Sequence, residues 1–233
     1  MTKKASYEYK FPSIKGIQAS QEYYIAMCPL RLIPKIFLFD EEELVPELRA
    51  QRVLNKSRIP DISNYILDNP KSYVFSALSA SIDGDLRFIP AEGVADDDAV
   101  GTLHIPMSAT FIINDGQHRR AAIEEAIKEK PELADETIAI VFFKDKGLKK
   151  SQQMFADLNR YAVKPSKSLG VLYDHKDPTA EITRNVVKDS NVFKNLVEFE
   201  KTTLAPRSRR LFTMSSIHQA NKLLLSSQDS EDI

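Results

Sequence analysis

Strand-type and helix-type runs alternate through the first 145 residues and then give way to helix-type runs, so the chain predicts an α+β fold. A mixed sheet with helices is expected over residues 1–145, followed by a mostly helical, basic portion over 146–233. Three observations carry this. Short runs rich in β-branched and aromatic residues recur at 23–39, 73–89, 103–105, 111–113 and 137–143. Apolar residues at helical spacing fill the intervals 45–68 and 116–130. Beyond 145 the apolar pairs at 169–171, 186–187, 196–197 and 217–224 read as helices joined by polar loops.

The elements follow in order. Tyr23 to Phe39 reads as extended chain broken at Pro29 and Pro34, because proline cannot donate to a ladder. In 45–68, Leu44, Leu48, Val53, Leu54, Ile62, Tyr65 and Ile66 share a helical face, with Pro46 in one first turn, Pro60 starting a second helix, and Asn69-Pro70 ending it. Residues 73–89 alternate around Asp83-Gly84, a strong hairpin signal. Residues 91–101 are small and acidic, a surface loop. T-I-A-I-V-F-F at 137–143 is a buried strand, and Ser151 is placed to cap a helix whose Met154, Phe155 and Leu158 share a face. The tail S-S-Q-D-S-E-D-I follows A-N-K-L-L-L directly, which predicts a helix cut off from its packing partner, hence a second portion truncated at its C-terminus.

A 42% hydrophobic and 28% charged composition suits a protein with a real core. Formal net charge is only -1, so affinity for a polyanion must come from clustering. The charges do cluster. Asp40, Glu41, Glu42, Glu43 and Glu47 form one acidic block, and Glu92, Asp96, Asp97 and Asp98 another. From 144 to 167, Lys144, Lys146, Lys149, Lys150, Arg160, Lys164 and Lys167 face only Asp145 and Asp157. Lys201, Arg207, Arg209, Arg210 and Lys222 have no acid among them at all. A single cysteine, Cys28, excludes an internal disulfide and a cysteine-rich zinc cluster. No signal-peptide or membrane-length apolar segment is present, so a soluble cytoplasmic protein with no membrane partner is expected.

The chemistry concentrates at F-I-I-N-D-G-Q-H-R-R-A-A-I-E-E-A-I-K, residues 111–128. An apolar strand, Asp115-Gly116, then an amphipathic helix puts Gly116 where the backbone turns sharply. The free N–H groups of a helix start attract anions, and His118, Arg119 and Arg120 would add charge-assisted bonds to phosphate. A carboxylate beside phosphate is repulsive, so in a cradle Asp115 either faces away or binds Mg2+. The alternative is purely structural: Asp115 is the N-cap, His118 packs in line with Ala122 and Ala126, and the arginines pair with Glu124 or Asp135. The cradle predicts that Arg119→Ala weakens ligand binding at unchanged Tm. The structural alternative predicts early unfolding with binding intact.

D-G-Q-H-R matches the motif that names the DGQHR-domain proteins. G-I-Q-A-S-Q-E-Y-Y-I-A-M-C-P-L-R-L-I-P-K-I-F, residues 16–37, resembles the amino-terminal part of the DndB family of DNA sulfur-modification (phosphorothioation) proteins. The likeness runs along nearly the whole chain, although members of that family are longer. The resemblance implies a bacterial DNA-binding transcriptional regulator of the phosphorothioation gene cluster. The motif is also similar to the glycine-arginine box of the ParB/sulfiredoxin fold, which holds nucleotide phosphates. On that likeness Gly116 and Arg119 keep the two fixed positions, and with Gln117, His118 and Arg120 they make up the candidate phosphate site. Gln117 stands where sulfiredoxin has its nucleophilic cysteine, which rules out that reductase chemistry. A-D-L-N-R, residues 156–160, is loosely similar to a second ParB box, making Asn159 a candidate metal or phosphate ligand and Arg160 a phosphate contact.

Two functional readings result. In the first the chain binds double-stranded DNA at an operator, as a candidate homodimer, through Lys149, Lys150, Lys164, Lys167, Arg207, Arg209 and Arg210. Thr213 or Ser215 would cap the helix that follows the arginines, while Tyr161 and Phe212 are candidates for base stacking or core packing. In the second the chain is an NTPase-type switch or DNA nickase, with ATP or CTP and Mg2+ as candidate cofactors, Asp115 as base or metal ligand, and His118 as acid or phosphate clamp.

Overall fold

The structure, a computed structural model, describes residues 7–37, 54–92, 99–145, 147–160 and 164–228, without the side chains of Leu148 and Asn159. The acidic residues 40–47 and 96–98, the expected helix over 45–53, Tyr161 and the tail 229–233 lie outside the described residues. The fold is α+β, and the chain forms two compact units, Met1–Tyr161 and Ala162–Ile233.

In the first unit, β1 (Glu8–Gln18) and β2 (Gln21–Pro29) form a hairpin that turns through Ala19 and Ser20, both at positive φ. The extended run that begins near Tyr23 ends at Pro29. The chain then takes a 3-10 turn at Leu30–Leu32 and the short helix α1 (Ile33–Ile36), with Pro34 in its first turn. α2 (Ile59–Asp68) starts with Pro60 and closes at Asn69, whose side-chain amide donates to the Tyr65 carbonyl. β3 (Leu78–Asp83), β4 (Arg87–Pro90), β5 (Val100–Pro106) and β6 (Thr110–Asp115) precede α3 (Gln117–Glu129), and β7 (Thr137–Lys144) precedes α4 (Leu148–Arg160). α4 begins before Ser151, so Ser151 is no cap. It is buried and donates to Asp145 instead.

The seven strands among the described residues of this unit are ordered β4-β5-β1-β2-β7-β3-β6. Asp83-Gly84 therefore joins no hairpin: β3 pairs with β6 and β7, whereas β4 pairs with β5 at the opposite edge. The turn chemistry favours a hairpin, but the longer ladders available to β3 on both of its sides outweigh it.

This order forces the sheet to curl. The three residues 84–86 that link β3 to β4, and Met107–Ala109 that link β5 to β6, each join strands five places apart. Across a flat sheet that is about 24 Å, while such links reach at most about 14 Å. The rings confirm closure: Tyr9 on β1 lies 6.0 Å from Phe111 on β6, and Phe142 on β7 lies 5.9 Å from Phe11 and 6.0 Å from Phe111. Ile33, Ile66 and Ile123, from α1, α2 and α3, complete this core.

In the second unit, α5 (Lys167–Tyr173) is capped by Ser166 and α6 (Pro178–Asp189) by Asp177. The residues around Leu196-Val197 form a strand, not a helix. β8 (Val197–Glu198) pairs parallel with β9 (Phe212–Thr213), and the Leu196 carbonyl accepts from the Leu211 and Phe212 N–H groups. α7 (Met214–Gln228) follows, and Val171, Ala180, Val187, Val197, Met214 and Ile217 are the core. Among the described residues no helix is long and apolar enough to cross a membrane.

Candidate functional site

The D-G-Q-H-R motif sits where β6 passes into α3. Gly116 is the N-cap, at φ 106°, and a Cβ there would lie 2.3 Å from the Leu78 side chain. Both conformation and space thus demand glycine. Asp115 is the last residue of β6 rather than the cap. It accepts from Arg119 Nη2 at 2.6 Å, and Arg119 Nη1 donates to the Ser76 carbonyl at 2.6 Å, the Ala77 carbonyl at 3.2 Å and the Ser76 hydroxyl. The Arg119 side chain is only 15% exposed. It clamps the helix start to the chain entering β3.

Arg120 pairs with Glu124 at 2.9 Å along α3, and its Nε is buried without a partner. His118 Nε2 accepts from the Asn55 N–H at 3.2 Å, which ties the motif to the turn before α2. Each charged side chain of the motif is thus engaged within the protein, and Asp135, a candidate partner for the arginines, pairs with Arg31 instead. Gln117 opens α3 and is half-buried. Among the described residues, no three or more His, Cys, Asp or Glu side chains group to hold a metal ion.

The basic residues fall into two sets. Lys149 and Lys150 are exposed in the first turn of α4, and Arg160, also exposed, closes that helix; the Asn159 side chain lies outside the described residues. In the second unit, Ser166 and Ser168 donate to the carbonyls of Glu200 and Lys201, which brings Lys201 to the start of α5 beside Lys164 and Lys167. Lys201 opens the basic part of a loop, Phe199 to Leu211, that connects the parallel strands β8 and β9. Arg207 and Arg209 are exposed on it, whereas Arg210 turns back to donate to the Asn195 carbonyl at 3.0 Å. The Glu198 carboxylate accepts the Glu200 and Lys201 N–H groups, which hold its pKa below the usual value and fix the loop's first turn. Thr213 caps α7: its hydroxyl accepts from the Ser216 N–H at 3.1 Å while Ser216 Oγ accepts from the Thr213 N–H at 3.2 Å. Phe212 packs edge-on against Phe193 at 5.2 Å and stays 36% exposed.

Sequence reasoning missed the pairings made across long separations. Glu8 accepts from His104 at 2.8 Å and pairs with Arg87, and Tyr73 donates to Glu136. Asn114, one residue from the motif, is buried and donates to Ser81 Oγ at 2.7 Å, leaving its Oδ1 without a partner. Only Asn114 carried a local signal, a polar residue ending an apolar strand. Cys28 behaves as a packed apolar residue, and burial pushes its thiol pKa up to about 12.

Comparison with curated proteins and with solved structures finds no match among either. The profile of DndB, DNA-sulfur modification-associated, matches residues 11–233, the sheet unit and the basic unit together, and by this match across nearly its whole length the chain belongs to the DndB family.

Proposed function

We propose that the chain is a DNA-binding regulator of the DNA phosphorothioation gene cluster, holding duplex DNA by phosphate contacts from its second unit. The observation that carries this reading is the Phe199 to Leu211 loop. It offers Lys201, Arg207 and Arg209 to solvent, Lys201 at the start of the helix that carries Lys167, against Glu200 in the loop and the Glu198 carboxylate at its first turn. Phosphate contacts of this kind position a protein on the duplex without reading sequence. Lys149 and Lys150 on α4 are a second candidate set of phosphate contacts.

The DGQHR residues enter this reading as framework. Arg119 would have to leave Asp115 and two carbonyls before it could bind phosphate. The test is a gel-shift titration on the promoter of the neighbouring operon across a salt series, with and without ATP or CTP plus Mg2+. Removing one phosphate-binding cation flattens the slope of log K against log salt by about 0.9, so the Arg207→Ala, Arg209→Ala double variant is expected to flatten it by about 2. An unchanged slope removes the loop from the interface. Phosphate release, or a shift that needs nucleotide, would favour a nucleotide-driven switch.

A further inference from the structure

One face of α7 in the second unit stands open. The helix turns Met214, Ile217, His218 and Asn221 toward the core of the unit: Met214 and Ile217 are buried, His218 Nε2 lies 3.1 Å from the Asp177 carboxylate, and Asn221 Nδ2 donates to Thr183 Oγ1 at 3.0 Å. On the opposite side, at helical spacing, Ser216, Gln219, Ala220 and Leu223 are exposed. Ser216 is used at the helix start, where its hydroxyl donates to the Thr213 carbonyl at 2.8 Å. Gln219 is not used: its amide makes no hydrogen bond among the described residues.

Charge decides what such a face can meet. From Met214 to Gln228 the helix carries no carboxylate, and Lys222 is exposed along it. By contrast α6 carries Glu181 and Asp189, and α5 is only 7 residues long. Cations gather at the α7 start. Ser168 Oγ donates to the Lys201 carbonyl at 2.8 Å and accepts from the Ser215 N–H at 3.3 Å, so one side chain separates Lys201 from the first turn of α7. The loop that bears Arg207 and Arg209 runs through β9 directly into the same turn. Of the carboxylates nearby, Asp177 accepts from the Thr179 N–H and faces His218, and Glu198 accepts from the Glu200 and Lys201 N–H groups. Glu200 stays exposed at the start of the loop, against Lys201, Arg207, Arg209 and Lys222. The major groove of a duplex, about 12 Å wide, admits a helix, and a helix lying in it presents its N-terminal residues to the base edges. There the Gln219 amide matches adenine, accepting from the N6 amino group and donating to N7, while apolar side chains suit the thymine methyl. We propose that α7 is the reading helix of the duplex site, with Gln219 on an adenine, Ala220 and Leu223 on thymine methyls, and Lys201, Arg207, Arg209 and Lys222 on the flanking phosphates.

Because this assignment rests on duplex binding by the second unit, two duplexes of equal length keep the failures apart: the promoter of the neighbouring operon and a shuffled sequence of the same composition. The full chain is titrated with each. Gln219→Ala is expected to lower affinity for the promoter about tenfold or more, while its affinity for the shuffled duplex and its salt slope stay at the wild-type values. An adenine analogue with carbon in place of N7 is expected, at one promoter position, to cost the wild type a similar factor and to cost Gln219→Ala nothing. Ala220→Glu sets a carboxylate at an exposed helix position facing the groove, and is expected to weaken binding to both duplexes. The Arg207→Ala, Arg209→Ala variant is expected to flatten the salt slope and to keep the preference for the promoter. Failure of the wild type to bind any duplex overturns the proposed function and the reading helix together. Three results overturn the reading helix alone and leave phosphate binding by the loop standing: a promoter preference unchanged in Gln219→Ala, a loss in that variant equal on the two duplexes, or wild-type binding by Ala220→Glu.

Discussion

At the scale of single residues, two glycines with nearly the same φ separate conformation from space. Gly116 has φ 106° and Gly147 φ 100°. A Cβ on Gly116 would meet Leu78 at 2.3 Å, whereas one on Gly147 meets nothing within 4 Å. Both alanine variants must hold an L-residue in the left-handed region, about 1–2 kcal/mol. Only Gly116→Ala adds a steric penalty, about 1–3 kcal/mol. Urea unfolding should therefore show Gly116→Ala the less stable by the steric share; equal losses would mean that Leu78 yields freely. Arg119 poses the sharper question, because its residue type alone leaves it open between phosphate ligand and internal clamp. With Asp115, Ser76 and Ala77 all depending on one guanidinium, Arg119→Ala is expected to lose about 2–4 kcal/mol. Arg119→Lys should rescue little, since one ammonium cannot reproduce the fork. A Tm unchanged in Arg119→Ala, with ligand binding lost, would return the residue to the phosphate-site reading.

At the scale of elements, helix ends were legible wherever the stop or start signal is local chemistry. Pro60 and Asn69 bracket α2, and Thr213 caps α7, as their residue types require. Signals that depend on a distant partner mislead. Asp83-Gly84 resembles a hairpin because the competing ladders of β3, with β6 and β7, lie up to some sixty residues away in the chain. Leu196-Val197 resembles a helix because its strand partner arrives only at Phe212. Asp177, the cap of α6, offers an element-scale test. Burial pushes its carboxyl pKa up, but the Thr179 and Ala180 N–H groups and His218 outweigh that and leave it below its ordinary value of 3.8. A folded-state pKa that is lowered contributes stability above the unfolded value and loses it as pH falls through the folded one. Asp177→Asn, which keeps a capping oxygen but no charge, should thus be less stable than wild type at pH 7. The gap between them should narrow below about pH 4. A gap that is constant with pH would show that the Asp177 charge adds nothing and that the loss is one of packing.

At the scale of the molecule, alternation along a strand reveals that a sheet has two faces and not which of them is filled. β2 shows the difficulty: Tyr24, Ala26 and Cys28 are buried and Met27, equally apolar, is 56% exposed. What settles the choice is curvature, and curvature follows from strand order, a property of the whole chain that no window of sequence contains. Once the links at 84–86 and 107–109 pull the sheet round, one face becomes concave and small enough for Phe11, Phe111 and Phe142 to fill it. The convex face keeps apolar residues that no core requires. The motif was legible for the opposite reason, since its strand, glycine and helix are consecutive, while a cavity under α4 assembles residues from Gln18 to Leu158 and left no trace in the sequence. Curvature can be tested by a pair of truncations. Phe142→Ala removes a fully buried ring from the centre of the curl and is expected to lower stability by about 3–5 kcal/mol. Met27→Ala, on the convex face of a neighbouring strand, is expected to change it by less than about 1 kcal/mol. Comparable losses at the two sites would mean that the outer face is covered in solution, by another part of the chain or by a second copy, and that the sheet has two packed faces rather than one.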